Sequence, residues 1–283
     1  MAVIEALIDS DLVAFRCAAT CEGDDTPDVV LYRCNELVER ILDRVDATDY
    51  TLYLTGATNF RKEINPEYKA NRKDKPRPKW LETCREFLVK EWNAKVTDGI
   101  EADDALGIAQ REDTFICSLD KDLLQVPGMH YNWVKDEEYY ISEREGLQNF
   151  WTQTIVGDVA DNVFGIYGLG PVKTRKILEQ VEGDTLEELD ENYYQAVKAL
   201  YDSHDRLHMN AKCLWVLREE GGIWVPPAER KQVSTEVDSK PNLPKASKPK
   251  VSKPATRKTK SSSPSPVVNE PTTLTGQSDL EFT

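Results

Sequence analysis

The sequence predicts an α/β chain: a central, mostly parallel sheet, then a helical segment, then a tail that does not fold. Three observations carry this. Short apolar runs end abruptly at polar or acidic residues, longer stretches of helical periodicity separate them, and beyond Pro226 the composition shifts away from large apolar residues.

The first run, Ala2–Ile8, stops at Asp9 and Asp11. The second, Tyr50–Leu54, stops at Thr55-Gly56, and the third, Thr114–Cys117, leads through Ser118 to Asp120 and Asp122. Helical patterns at about 33–47, 78–92 and 101–110 separate them, as expected for parallel strands in an α/β domain. In such sheets function collects beyond the carboxyl ends of the strands. Two of the three runs deliver aspartates there. After residue 150 helical segments are joined by the Gly-rich turn GIYGLG. Residues 1–150, 151–230 and 231–283 are therefore expected to be an α/β domain, a helical subdomain and a tail. Lys240–Val268 has no acidic residue and almost no large apolar one, so it cannot offset its chain entropy by burial and is expected to be disordered.

The formal net charge is -14, and it is uneven: the tail from residue 231 is basic, and the acids concentrate before it. An acidic surface disfavours casual contact with phosphate backbones, unless the carboxylates converge to hold divalent cations. The six cysteines form no C-x-x-C pair and no Cys/His zinc pattern, and no signal peptide or membrane span is visible. Thiols of this kind predict a reducing cytoplasm, the host's if the chain is viral, and no membrane partner.

The acids fall into tight groups. GIEADDALGIAQ places Glu101, Asp103 and Asp104 in the first turn of a helix, SLDKDLLQ offers Asp120 and Asp122, and VGDVADNVFGIYGLG offers Asp158 and Asp161. Any one group has an ordinary reading as helix-dipole or capping acids. With Asp9 they make eight carboxylates, whose mutual repulsion hard cations with oxygen ligands would neutralise.

The order E-A-D-D, S-x-D-K-D, G-D-x-x-D-N and G-I-x-G-L-G resembles the flap-endonuclease/5′→3′ exonuclease superfamily, from Asp9 to about Leu178. The run NFRKEINPEYKANRK is especially similar to the 5′→3′ exonucleases of short-tailed bacteriophages. The resemblance implies a PIN-like domain in which Asp9, Glu101, Asp103 and Asp104 surround one metal and Asp120, Asp122, Asp158 and Asp161 serve a second. The ions would be Mg²⁺, with Mn²⁺ able to substitute. Two ions about 4 Å apart can activate a water and stabilise the leaving oxygen of an in-line displacement. No histidine base is then needed, and His130, His204 and His208 lie outside the motifs.

The resemblance further implies that Arg61 and Lys69 grip phosphates near the scissile bond, that Tyr68 stacks on a terminal base, and that Arg72 adds a DNA contact. GIYGLGPVKTRKIL is similar to the family's helix–turn–helix element. There Gly165, Gly168 and Gly170 would let backbone amides approach a phosphate, and Lys173 and Arg175 add charge. One departure stands out. Gly56 occupies a strand-end position where the family usually has an aspartate, so Gly56→Asp is expected to lower the Mg²⁺ requirement.

The implied activity is Mg²⁺-dependent 5′→3′ exonuclease action on duplex DNA, and on RNA primers or RNA–DNA hybrids, in phage DNA replication or recombination. The alternatives are a structure-selective flap endonuclease and a catalytically weakened DNA-binding homologue. At the terminus Gln277, Leu280 and Phe282 resemble a peptide that docks on a sliding clamp, and a clamp or single-strand binding protein is the expected partner there.

Overall fold

The computed structural model describes residues 4–21, 26–73 and 75–230. Six strands form one sheet: β1 (Glu5–Asp9), β2 (Asp49–Leu54), β3 (Lys95–Val96), β4 (Thr114–Cys117), β5 (Gly128–Asn132) and β6 (Glu137–Ile141). Their order is β3-β2-β1-β4-β5-β6, parallel throughout except for β5 with β6. The three strands expected from the apolar runs are all present. The hairpin β5–β6 and the two-residue β3 were not anticipated, and the hairpin turns through Asp136 in the left-handed region at φ 56°.

The helices are α1 (Ser10–Ala19), α2 (Pro27–Arg44), the single turn α3 (Arg61–Ile64), α4 (Leu81–Trp92) and α5 (Ala102–Ala109). α2 starts ahead of the expected 33 because Pro27 occupies its first turn, where a missing N–H costs nothing. Its buried residues Val30, Cys34, Leu37, Val38 and Ile41 fall on one helical stripe, and they pack over one face of the sheet with Ala6, Ile8, Leu52 and Leu88. Leu7 alternates to the other face, where it meets Leu106, Ile116, Leu123 and Val216.

After the sheet come α6 (Glu143–Val156), the short pair β7 (Gly157–Asp158) and β8 (Val163–Phe164), then α7 (Pro171–Leu178), α8 (Leu186–Leu200) and α9 (His204–Leu214). Ser142 and Glu145 cap α6 reciprocally. These helices share a second core rich in aromatics, including Phe150, Trp151, Tyr193, Tyr194 and Trp224. The Trp151 indole donates to Asp190 at 2.8 Å, which satisfies its polar edge. No helix among the described residues is long and apolar enough to cross a membrane. All six cysteines are buried free thiols.

The topology sets the site. β1 leads by crossover to β2 on one side and has β4 on the other, so the order in which strands are added reverses at β1. The crevice beyond β1 and β4 is where open parallel sheets collect ligands.

Candidate metal centre

A cavity of about 960 Å³ opens at that edge, and Asp9, Glu101, Asp103, Asp120, Asp122, Asp158 and Asp161 all line it. Four separate segments deliver them. Asp9 ends β1 and caps α1 through Leu12 N at 3.2 Å, while accepting from Ser118 Oγ at 2.7 Å. Glu101 and Asp103 open α5. Asp120 caps the 3₁₀ turn Lys121–Gln125, and Asp122 within that turn accepts from Gln153 Nε2 at 2.7 Å. Asp158 closes β7 and accepts from Ala160 N at 2.7 Å.

Crowding shows in the acidities. Burial, against the hydrogen bond from Ser118 but with Asp11 nearby, pushes Asp9 up to about 7. Burial together with Asp120, Asp158 and Asp161 pushes Asp122 up to about 7. Asp103 is held well above the usual carboxylate range by burial and by Asp9 and Asp120, and burial raises Asp120 too. Two members go the other way. At Glu101 and Asp158 burial opposes ionisation, but Lys69 with Arg61, and Lys121, outweigh it and hold these carboxyls low.

Those cations sit on the carboxylates themselves. Lys69, in the left-handed region at φ 56°, places Nζ 2.5 Å from Glu101 Oε1 and 3.7 Å from Asp161 Oδ2. Arg72 Nη2 lies 2.5 Å from Asp161 Oδ1, and Lys121 Nζ lies 3.0 Å from Asp158 Oδ2. With the side chains so paired, no three Asp, Glu, His or Cys groups among the described residues close on a point that could hold an ion. The donor chemistry nonetheless fits a hard divalent cation: every candidate ligand is a carboxylate oxygen.

Several expectations need correction. Arg61 is not a phosphate grip: it is 3% exposed, lies outside the cavity lining, and binds Asp104 through both Nη atoms at 2.6 and 2.8 Å. It also donates to the carbonyls of Cys213 and Trp215. Asp104 is consequently not placed as a metal ligand. It is fully buried, and its oxygens also accept from Glu101 N and Leu217 N at 3.0 Å each. Tyr68 cannot stack on a terminal base, being 3% exposed with its hydroxyl between Glu101 Oε2 and Asp161 Oδ2 at 3.0 and 2.8 Å. Its hydroxyl links the two carboxylates.

Gly56 does line the cavity, but a Cβ there would lie 1.9 Å from the carbonyl oxygen of Thr97. The strand end has no room for an aspartate. Asp11 reaches the cavity from α1 instead, where it accepts from Thr55 N at 2.8 Å and pairs with Arg85, which itself donates to Thr55 O. Gly165 is needed for packing, since a Cβ would lie 2.2 Å from Ile155 O, whereas Gly168 and Gly170 face open space. Lys173 and Arg175 are exposed on α7. His130 is buried and bonded to Val126 O, and His208 meets the Tyr194 hydroxyl, both away from the cavity. Gln277, Leu280, Phe282 and the basic run from Lys240 lie outside the described residues. Ser118, Lys121, Gln153 and Arg85 went unpredicted. The first two stand inside SLDKD and were legible there; Gln153 and Arg85 sit in ordinary helices without a local signal.

Residues 5–152 match the family of 5′→3′ exonuclease N-terminal, resolvase-like domains. DNA polymerase I of Rhizobium leguminosarum is 35% identical over 147 residues, covering 44% of this chain and 14% of the polymerase. A 5′→3′ exonuclease of Mycoplasma pneumoniae is 33% identical over 174 residues, 52% of this chain and 57% of that protein. Flap endonuclease Xni of Vibrio vulnificus is 25% identical over 247 residues, 78% of this chain and 93% of that one. The chain thus spans a small part of the polymerase and little more than half of the Mycoplasma protein. In fold it matches the zinc-bound T5 5′-exonuclease at a TM-score of 0.56 and 19% identity, over 74% of this chain and 88% of that one. With more than half of its residues inside the matched domain, the chain belongs to the 5′→3′ exonuclease family.

Proposed function

We propose that the chain is a divalent-metal-dependent nuclease that hydrolyses phosphodiester bonds from the 5′ ends of duplex DNA and of RNA in RNA–DNA hybrids, in phage DNA replication or recombination. One observation carries the reading: carboxylates from four segments share a cavity whose lining also holds Lys69, Arg72 and Lys121. Anions there suit metals and cations suit the phosphate. Asp9, Glu101, Asp103, Asp120, Asp122, Asp158 and Asp161 would hold Mg²⁺ or Mn²⁺. Such ions lower the pKa of a bound water and screen the leaving oxygen. The chain's own contribution is positional. Tyr68 and Ser118 fix the orientation of Glu101, Asp161 and Asp9, and Lys69 and Arg72 present positive charge where a phosphoryl oxygen would lie. Residues 1–150 would form the PIN-like nuclease domain. Residues 151–230 would hold the duplex through Gly168, Gly170, Lys173 and Arg175, with contacts to backbone rather than bases.

A structure-selective flap endonuclease is the second reading, favoured by the extent of the match to flap endonuclease Xni, 93% of that protein's length. Incubating 5′-labelled duplex and flap substrates with Mg²⁺, Mn²⁺ or EDTA separates the readings. Mononucleotides support the exonuclease, an intact flap oligomer supports the flap endonuclease, and metal-independent cleavage or binding without cleavage refutes a metal-dependent nuclease.

A further inference from the structure

We propose that Asn71 and Asn162 are positioning residues for Lys69: their two amides clip the basic segment onto the β7–β8 turn and so hold Lys69 over the cavity carboxylates. The catalytic consequence rests on the nuclease reading, whereas the clip itself does not. Lys69 sits at φ 56°, in the left-handed region, where a side chain other than Gly, Asn or Asp is crowded. That backbone conformation is the one from which its Nζ reaches Glu101 and Asp161. Burial does little to enforce it. Glu67, Ala70, Asn71 and Arg72 around it are exposed, and Tyr68 alone in the segment is buried. A strained residue persists where its surroundings over-determine it, so the hydrogen bonds to this segment decide where Lys69 points.

Those bonds converge on the turn that joins β7 to β8. Lys69 N donates to Asp161 O at 2.9 Å. Two residues earlier, Glu67 O accepts from Asn162 Nδ2 at 2.8 Å, and two residues later Asn71 Nδ2 donates to Val159 O at 2.7 Å. The amides thus bracket Lys69, one reaching in from each side of the junction. Asn162 is itself at φ 58°, which asparagine tolerates. A neutral amide suits both places, because a lysine or arginine there would compete for Asp158 and Asp161. Neither asparagine lines the cavity, so each acts through Lys69 and not by touching substrate there. Asp161 has anchors of its own: its N–H donates to Asp158 O at 3.2 Å, and its carboxylate holds the Tyr68 hydroxyl and Arg72. Arg72 is likewise fixed by its Nε to Ala160 O at 3.0 Å. Losing the amides therefore releases Lys69 first.

The test uses the full chain. Asn162→Gly keeps the left-handed backbone and removes the amide, and Asn71→Ala removes its counterpart. In steady-state cleavage of 5′-labelled DNA with Mg²⁺, each should lower kcat about tenfold with KM and melting temperature unchanged. The deciding measurement places each substitution in a Lys69→Ala background, where it should cost less than about twofold because the residue it positions is gone. An equal loss in both backgrounds overturns the role, as does parental kcat in the Asn71→Ala/Asn162→Gly double variant. Hydrogen–deuterium exchange in EDTA reads the clip without cleavage. Residues 67–72 should exchange about tenfold faster in the double variant, with exchange in β1 and β4 unchanged. Unchanged exchange at 67–72 overturns the clip whether or not the parent cleaves. The expected exchange in a parent that does not cleave supports the clip and refutes the nuclease reading alone.

Discussion

Asp104→Asn separates a structural carboxylate from the cavity-facing ones. Asp104 is fully buried and Arg61 is 3% exposed, and they join through two charge-assisted bonds of 2.6 and 2.8 Å. The same carboxylate receives Glu101 N and Leu217 N, so it fastens the segment after α9 to the start of α5. Asparagine keeps the shape, but it leaves the guanidinium without a counter-charge and turns an NH₂ toward one of these donors. Breaking one side of a buried pair costs about 3–5 kcal/mol. At roughly 2–4 °C per kcal/mol for a domain of this size, the melting temperature should fall by about 6–20 °C. Circular dichroism melts measure the loss, and calorimetric Mn²⁺ titration well below the transition should show binding retained. Asp122→Asn should do the reverse, keeping the melting temperature and losing Mn²⁺ affinity and cleavage. An Asp104→Asn protein that melts like the parent yet binds no metal would refute the assignment.

Four further outcomes follow from the same geometry. Lys69→Ala should reduce cleavage by about a hundredfold or more, because it removes positive charge from the reacting phosphate, while leaving metal-saturated folding intact by circular dichroism. Gly56→Asp should lower both the melting temperature and activity instead of lowering the Mg²⁺ requirement, since its Cβ would meet the Thr97 carbonyl at 1.9 Å; a Mg²⁺ titration of rate decides. In EDTA, Asp9 binds more protons folded than unfolded, because its pKa rises from 3.8 to about 7. Stability should therefore fall as pH rises between those values, by about 4 kcal/mol at most from this group, and Mg²⁺ should cancel the fall; melts from pH 5 to 8 with and without Mg²⁺ measure both. Finally, Lys121→Ala should tighten Mn²⁺ binding several-fold by removing the ammonium 3.0 Å from Asp158, and a calorimetric loss of affinity would contradict it.

The parallel strands and the carboxylate groups were legible because each is a local pattern: an apolar run ending in acids, or acids at helical spacing. What the sequence concealed was direction. Asp103 and Asp104 are neighbours in one turn, about 100° apart around the helix axis, so one faces the cavity and the other the core. Which is which depends on Leu217 and Arg61, far along the chain. Arg61 and Lys69 stand in one basic run with equal claim to a phosphate. The carbonyls of Cys213 and Trp215 draw Arg61 inward, and no spacing within NFRKEINPEYKANRK announces them. Gly56 misleads for the same reason: its lack of a side chain answers to Thr97 across the strand end.

Basic residues in so acidic a chain are part of one charge system with the carboxylates. Lys69, Arg72 and Lys121 now occupy oxygens of Glu101, Asp161 and Asp158, and Lys121 offsets part of the burial and carboxylate repulsion that raise Asp122. In the proposed nuclease, ions held by those carboxylates would compete with Lys69, Arg72 and Lys121 for the same oxygens and leave these cations available to a phosphate. On that reading metal binding and phosphate binding would be coupled through the same ion pairs, and by linkage each would strengthen the other. A carboxylate cage without the interleaved cations would bind metal more tightly yet repel its substrate. One lacking the acids would bind nucleic acid without the means to cut it. The basic run and the acidic motifs thus meet in one cavity and one set of ion pairs, split in sequence and joined only by the fold.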